Sequence, residues 1–158
     1  MGDWRKLAEL SWADRRLLAR AAAMLAHAKL ALPSVDFRAA GEAVAAGARK
    51  PSPVELARAR AVARLVGVAA SRVPFRVACL PRSIVLWRLL RREGIPCELR
   101  LGARSGGGPF EAHAWVECGG VALAEDPDHL AGYRRFDRAV VPARRDRAAG
   151  RPASRRPT

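Results

Sequence analysis

Cys79-Leu80-Pro81-Arg82-Ser83-Ile84-Val85-Leu86-Trp87-Arg88-Leu89-Leu90-Arg91-Arg92-Glu93-Gly94-Ile95-Pro96-Cys97-Glu98-Leu99-Arg100-Leu101 changes its period along its length. From Cys79 to about Arg92 the run reads as helix. Pro81 suits a first helical turn, where the amide it lacks has no intrahelical partner. Gly94 follows Arg91 and Arg92, a helix end with basic residues at the negative pole. After Pro96 the residues Cys97 to Leu101 alternate, as strands do, and so do Ala112 to Cys118. Gly106-Gly107-Gly108 connects the two strands. Gly119-Gly120 is a two-residue hairpin turn leading to Val121-Ala122-Leu123. Helices come first and an antiparallel meander follows. The order predicts an α+β architecture in which one helix carries Cys79 across a small sheet.

The residues upstream read as helices. A helix is expected over 3–31, with Ser11 and Asp14 resembling a capping box ahead of Trp12. Leu17, Leu18, Ala21, Ala22, Leu25, Ala28 and Leu32 fall at three- and four-residue spacing and form one apolar stripe, which Pro33 ends. A weaker Ala-rich helix is expected over 36–47, closing at Gly47. Ser52-Pro53-Val54-Glu55 is the clearest helix start, with a cap, a first-turn proline and a glutamate three residues after the serine. Leu56, Ala59, Ala63, Val66 and Ala70 mark its expected buried face.

Composition sets bounds on function. At 158 residues the chain is long enough for one domain with a sizeable core. No apolar run reaches the length of a membrane span, because Arg20, His27 and Lys29 interrupt the best candidate. No secretory signal is expected at the N-terminus. Three cysteines, spaced by 18 and 21 residues, argue against a disulfide framework and a metal knuckle, and for a reduced, cytoplasmic setting. The net charge of +14 invites a nucleic-acid reading. Against it, 26 of the 29 basic residues are Arg, as a GC-rich coding bias would give, and residues 134–158 hold nine Arg against two Asp. Half the excess charge therefore lies in a tail too poor in apolar residues to order itself.

Chemistry concentrates at Cys79 and His113. The first turn of a helix points free N–H groups and a partial positive charge at a side chain there, which favours an anion. The same amides can receive an oxyanion. His113 follows 34 residues later in a strand and shares a face with Trp115 and Glu117. A strand places a general base rigidly. The Gly119-Gly120 turn returns the chain past His113, so an acidic residue of Glu125-Asp126-Pro127-Asp128 can orient the imidazole. Asp126 is the expected orienting carboxylate. Glu125 and Asp128 remain alternatives, since a slip of one residue reverses every side chain. Trp115 is expected in the core or the wall of the site, and Cys97 and Cys118 as structural thiols. His27 is expected to be inert, His129 exposed, and Arg82 a surface cation sooner than a substrate contact.

Cys79-Leu80-Pro81-Arg82-Ser83, the helix end Leu89-Leu90-Arg91-Arg92-Glu93-Gly94-Ile95-Pro96 and His113-Ala114-Trp115-Val116-Glu117 together resemble lasso-peptide leader peptidases, of the transglutaminase-like, microcin-processing cysteine protease family. The resemblance covers roughly residues 75–137, with Tyr133-Arg134-Arg135-Phe136 as its end. It implies a papain/transglutaminase-like core over 75–137, and the helical segment over 1–74 fits the small helical segment that such proteins carry. The basic tail over 138–158, expected to be disordered from its composition, lies outside the family pattern. The resemblance implies a Cys-His-Asp triad of Cys79, His113 and an acid within Glu125-Asp126. Separately, no cofactor or metal is expected from the sequence. The resemblance further implies a ribosomally made precursor peptide as substrate, cut between leader and core. A separate leader-recognition protein is the implied partner, and a lasso cyclase a candidate further one. Two other readings stay open: acyl transfer on a Gln side chain by the same thioester chemistry, and a basic nucleic-acid or membrane-binding module resting on charge alone.

Overall fold

The computed structural model describes residues 10–31, 35–36, 49–104, 110–136 and 143–144. Helix α1 spans Trp12–Ala31. Ser11 Oγ accepts the Asp14 amide at 3.1 Å, so one of the orphan first-turn donors is satisfied by the expected cap. Ala21 and Leu25 are fully buried, and Leu17, Leu18, Ala22 and Ala28 pack partly against the same core. The expected residues 3–9 of this helix, and all but Asp36 of the Ala-rich helix expected over 36–47, lie outside the described residues. Asp36 belongs instead to strand β1, Val35–Asp36.

Helix α2, Pro53–Arg72, begins as its sequence dictates. Ser52 Oγ accepts the Glu55 amide at 3.2 Å, and the Glu55 carboxylate accepts the Ser52 amide at 2.8 Å. Arg49 grips the same carboxylate. The Arg49 bonds, then the Ser52 amide, hold the Glu55 carboxyl down from 4.5 to about 2. Ala59, Val62, Ala63, Val66 and Ala69 form the buried face.

Helix α3, Cys79–Arg92, stops through a Schellman motif. The Ile95 amide reaches the Leu90 carbonyl at 3.0 Å, and the Gly94 amide reaches Arg91 at 3.1 Å. Gly94 has φ +73°, which glycine adopts without the steric cost of a Cβ. The two residues that this motif brings together, Leu90 and Ile95, are both core. Arg58 of α2 bonds Glu93 through Nε at 2.8 Å and lies 3.7 Å from Asp14 of α1, so the three helices share one exposed ion network.

Strands β2, Glu98–Arg104, and β3, Glu111–Cys118, pair antiparallel with Glu98 opposite Glu117 and Gly102 opposite His113. The expected Gly119-Gly120 turn has φ +60° and +83° and leads to β4, Val121–Ala122. Helix α4, Pro127–Ala131, precedes β5, Arg134–Arg135. The sheet order is β4-β3-β2-β5, beside a separate pair of β1 with β6, Ala143–Arg144. Those two residues of the expected disordered tail are thus strand, and the rest of 138–158 lies outside the described residues. One core joins α1, α2 and α3 to the sheet through Leu99, Val116, Cys118 and Leu123. This is the expected α+β arrangement of helices on a small antiparallel sheet. Among the described residues, no helix is long and apolar enough to cross a membrane.

Gly67 of α2 faces open space, since an added Cβ would meet nothing within 4 Å. Gly67→Ala should stabilise the fold by up to about 1 kcal/mol through helix propensity and a less flexible unfolded chain. Thermal denaturation should show a rise of roughly 2–4 °C. Glu55 supplies a pH test. Its folded pKa is depressed, so its contribution is present above the unfolded value and lost as pH falls through the folded one. The stability gap between wild type and Glu55→Gln should be full above pH 4.5 and close as pH falls toward about 2, read by urea denaturation at each pH.

Candidate active site

Cys79 is the first residue of α3 and is partly exposed. The N-cap residue, Ala78, makes no side-chain cap, so no side chain of that residue occupies the first-turn amides. One turn on, Ser83 Oγ donates to the Ala114 carbonyl at 2.8 Å in a buried setting. That bond ties the cysteine's helix to the strand residue next to His113. Ser83 lies four residues beyond Cys79 and Arg82 three, so both share its helix face. This spacing is a sequence signal for both residues.

His113 Nε2 lies 3.0 Å from Glu125 Oε2. The two side chains are 13 % and 8 % exposed, so the pair is shielded from bulk water. The other oxygen of Glu125 accepts from Arg82 Nη2. Arg82 is therefore not the surface cation expected from sequence. It is an ion-pair partner of the carboxylate beside the histidine.

The expected carboxylate, Asp126, is not at His113. It is the N-cap of α4, where its side chain accepts the Asp128 amide at 3.0 Å. The reason lies in the backbone. Strand β4 ends at Ala122, and the Leu123 amide still bonds the Val116 carbonyl at 2.9 Å. Ala124 then turns with φ +53°, a left-handed conformation that costs an L-residue about 1–2 kcal/mol. Strand alternation stops there, and Glu125 rather than Asp126 meets the imidazole. Asp126-Pro127 is itself a helix-start signature, an N-cap followed by proline at the first position. Asp128 is an exposed first-turn residue of α4.

Aromatic rings surround the imidazole. Trp115, 2 % exposed, stacks at 6.1 Å and 18°. Tyr133 lies at 5.3 Å and His129 edge-on at 5.4 Å. His129 is exposed as expected, yet it belongs to this cluster. Tyr133 donates to Glu111 at 3.0 Å, and Arg104 lies over its ring. Burial first, then the bond to Glu111, pushes the Tyr133 phenol up, and the charge of Cys79 acts in the same sense. The geometric link between the two elements is the Ser83–Ala114 bond, which sets the helix opened by Cys79 against the strand of His113. Among the described residues, no hydrogen bond joins Cys79 to His113. Such contacts are commonly long before substrate binds.

Trp115 is itself held. Its Nε1 donates to Glu117 at 2.9 Å, and Glu117 also accepts from Arg135 at 2.9 and 3.0 Å. Arg100 Nε lies 3.4 Å from the same carboxylate. Across the ladder, Gly102 leaves room for the indole. The other two cysteines are structural thiols: Cys97 and Cys118 are buried, and Cys118 bonds the Pro96 carbonyl at 3.3 Å. Burial, then the nearby Cys118, pushes the Cys97 thiol up to about 12, and burial raises Cys118 as well. Among the described residues, no cluster of three metal-ligating side chains occurs.

A Cβ at Gly102 would stand 2.9 Å from the Arg134 carbonyl and 2.9 Å from Trp115 Cη2. Gly102→Ala should therefore destabilise the fold by about 1–3 kcal/mol, as overpacking does. Near-ultraviolet circular dichroism of the indole, with denaturation, would read both effects.

No curated protein and no solved structure matches the chain. The profile of the transglutaminase-like superfamily matches residues 21–138, well over half of the chain, from within α1 to just beyond β5. That span includes the helix opened by Cys79, the strand of His113 and the Glu125 turn. This chain belongs to the transglutaminase-like superfamily, whose members are generally cysteine-based enzymes.

Proposed function

We propose that this chain is a cysteine peptidase that removes the leader from a ribosomally made lasso precursor peptide. The observation that carries the reading is the joint placement of Cys79 at the mouth of α3 and of His113, paired with Glu125 of the turn after β4, on the strand bonded to that helix. The sequence resemblance over residues 75–137 supplies the substrate class.

With Nε2 of His113 given to Glu125, Nδ1 is the nitrogen that takes the thiol proton. Cys79 sulfur attacks the scissile carbonyl carbon, and the carbonyl oxygen becomes an oxyanion received by the first-turn amides of α3. His113 returns the proton to the leaving amine as the C–N bond breaks. Water then attacks the thioester, with His113 taking its proton, and the carboxylate product leaves with Cys79 restored as the thiol. Glu125 fixes the imidazole tautomer and stabilises the imidazolium. No cofactor or metal enters this scheme. The proposed setting is the cytoplasm, where the thiol stays reduced. A separate recognition protein captures the leader and raises the local substrate concentration. A lasso cyclase is the proposed consumer of the freed amine.

Superfamily membership also fits acyl transfer from a Gln side chain, since both reactions share the acyl-enzyme. Product mass separates them. Intact mass of a candidate precursor, incubated with this protein and its recognition partner, should show leader and core with wild type and none with Cys79→Ala. Glu125→Gln should lower kcat by about 100-fold or more, the scale of lost acid–base catalysis. Asp126→Ala should leave kcat within a few-fold and cost about 1 kcal/mol of stability, as a lost N-cap does. A loss of activity confined to Asp126→Ala would reverse the assignment of the acid. An uncut precursor that gains the mass of deamidation would replace the peptidase with the amide-modifying enzyme.

A further inference from the structure

Each oxygen of Glu125 has its own partner: Oε2 meets His113 Nε2 at 3.0 Å, and Oε1 accepts from Arg82. Arg82 rises from the same turn of α3 as Cys79. We propose that Arg82 is a positioning residue that holds Glu125 against His113 and thereby sets the acid from the helix that presents the nucleophile. This rests on the reading of Cys79, His113 and Glu125 as a catalytic set.

Three observations support it. The first is burial: with 8 % of its side chain exposed, the Glu125 carboxylate has little water to replace a lost partner. A buried carboxylate left with one imidazole would be poorly compensated. The second is the space beside the pair. A cavity of about 20 Å³, walled by Val66, Leu86, Val116 and Leu123, adjoins Arg82 and Glu125. It has room for about one water and little else. The third is reach. A glutamate side chain has three torsions, so a single contact to His113 leaves it several rotamers, and a second anchor on the other oxygen removes them. Among the described residues, the other side chains shown in contact with His113 are the rings of Trp115, His129 and Tyr133, and none is a carboxylate that could replace Glu125. The remaining possibility for Arg82 is direct contact with substrate, which predicts an effect independent of Glu125.

The test uses the full chain without substrate. Two readouts are taken: the rate of Cys79 alkylation by iodoacetamide, and the ring nitrogen-15 signals of His113, which report its tautomer. Wild type should show one tautomer, with the proton on Nε2. Arg82→Gln should mix the tautomers and slow alkylation by about tenfold, a modest share of acid–base assistance. Arg82→Lys, which keeps the charge and loses the fork, should fall between them. In a Glu125→Gln background, Arg82→Gln should add less than about twofold, because coupled residues are not additive. An unchanged tautomer in Arg82→Gln overturns the proposal, even if the melting temperature falls. An equal loss with and without Glu125 also overturns it. Should Arg82→Gln fail to fold, Arg82→Lys carries the same comparison. Since no peptide is involved, a failure of precursor cleavage would sink the peptidase reading without altering these readouts.

Discussion

The docking of α3 onto β3 is the constraint on which the remaining geometry depends. Its polar anchor is the bond from Ser83 Oγ to the Ala114 carbonyl, between residues 3 % and 1 % exposed. Around it, Val85, Leu89 and Leu90 of the helix and Leu99 and Val116 of the sheet are packed into one core. A buried carbonyl without that partner would carry about 1–3 kcal/mol of unrecovered desolvation. The apolar packing gives the fold its stability, and the single hydrogen bond chooses one rotation and height of the helix on the strand. Cys79, one turn before Ser83, and His113, one residue before Ala114, inherit that choice.

Charge is arranged at the sheet by the same economy of position. Glu125 meets Arg82, Glu117 meets Arg135 and Arg100, and Glu111 meets Arg104. Every one of these cations is arginine, whose planar fork can engage a carboxylate with two donors at once. Pairs such as that of Glu125 add little net stability, because desolvation offsets most of the attraction. Their effect is directional. They decide which way a buried carboxylate points, and the two near His113 and Trp115 decide where the imidazole and its supporting indole stand.

Much of this was legible in the sequence, and the exceptions have physical causes. The α2 start was readable because Ser52, Pro53 and Glu55 are each suited to one position of a helix N-terminus. The α3 end was readable from Gly94, and the β3–β4 turn from Gly119-Gly120. Cys79 and His113 stood out as the right chemistry on the right elements. The neighbouring carboxylate did not, because counting along a strand assumes that alternation persists, and Ala124 interrupts it with an unmarked left-handed residue. Arg82 could have been drawn in from its three-residue spacing to Cys79, but nothing local to Arg82 names Glu125, 43 residues away, as its partner. Tyr133 and His129 meet His113 only through tertiary packing.

The two buried thiols have a bearing on how this protein would meet oxidants. Cys97 and Cys118 lie at the end of the β2–β3 ladder remote from Gly102 and His113, and Cys118 is five residues along the strand from His113. At the rise of a strand this is roughly 17 Å. Both are buried, and burial pushes both thiols up, away from the thiolate that reacts. Cys97 lies against the Trp87 carbonyl, eight residues and about 12 Å along α3 from Cys79, too far for it to act as a resolving cysteine for a sulfenic acid formed on Cys79 without opening the fold. Recovery from that first oxidation step falls to a thiol from outside this chain, and where none is at hand, further oxidant carries Cys79 to the irreversible sulfinic state.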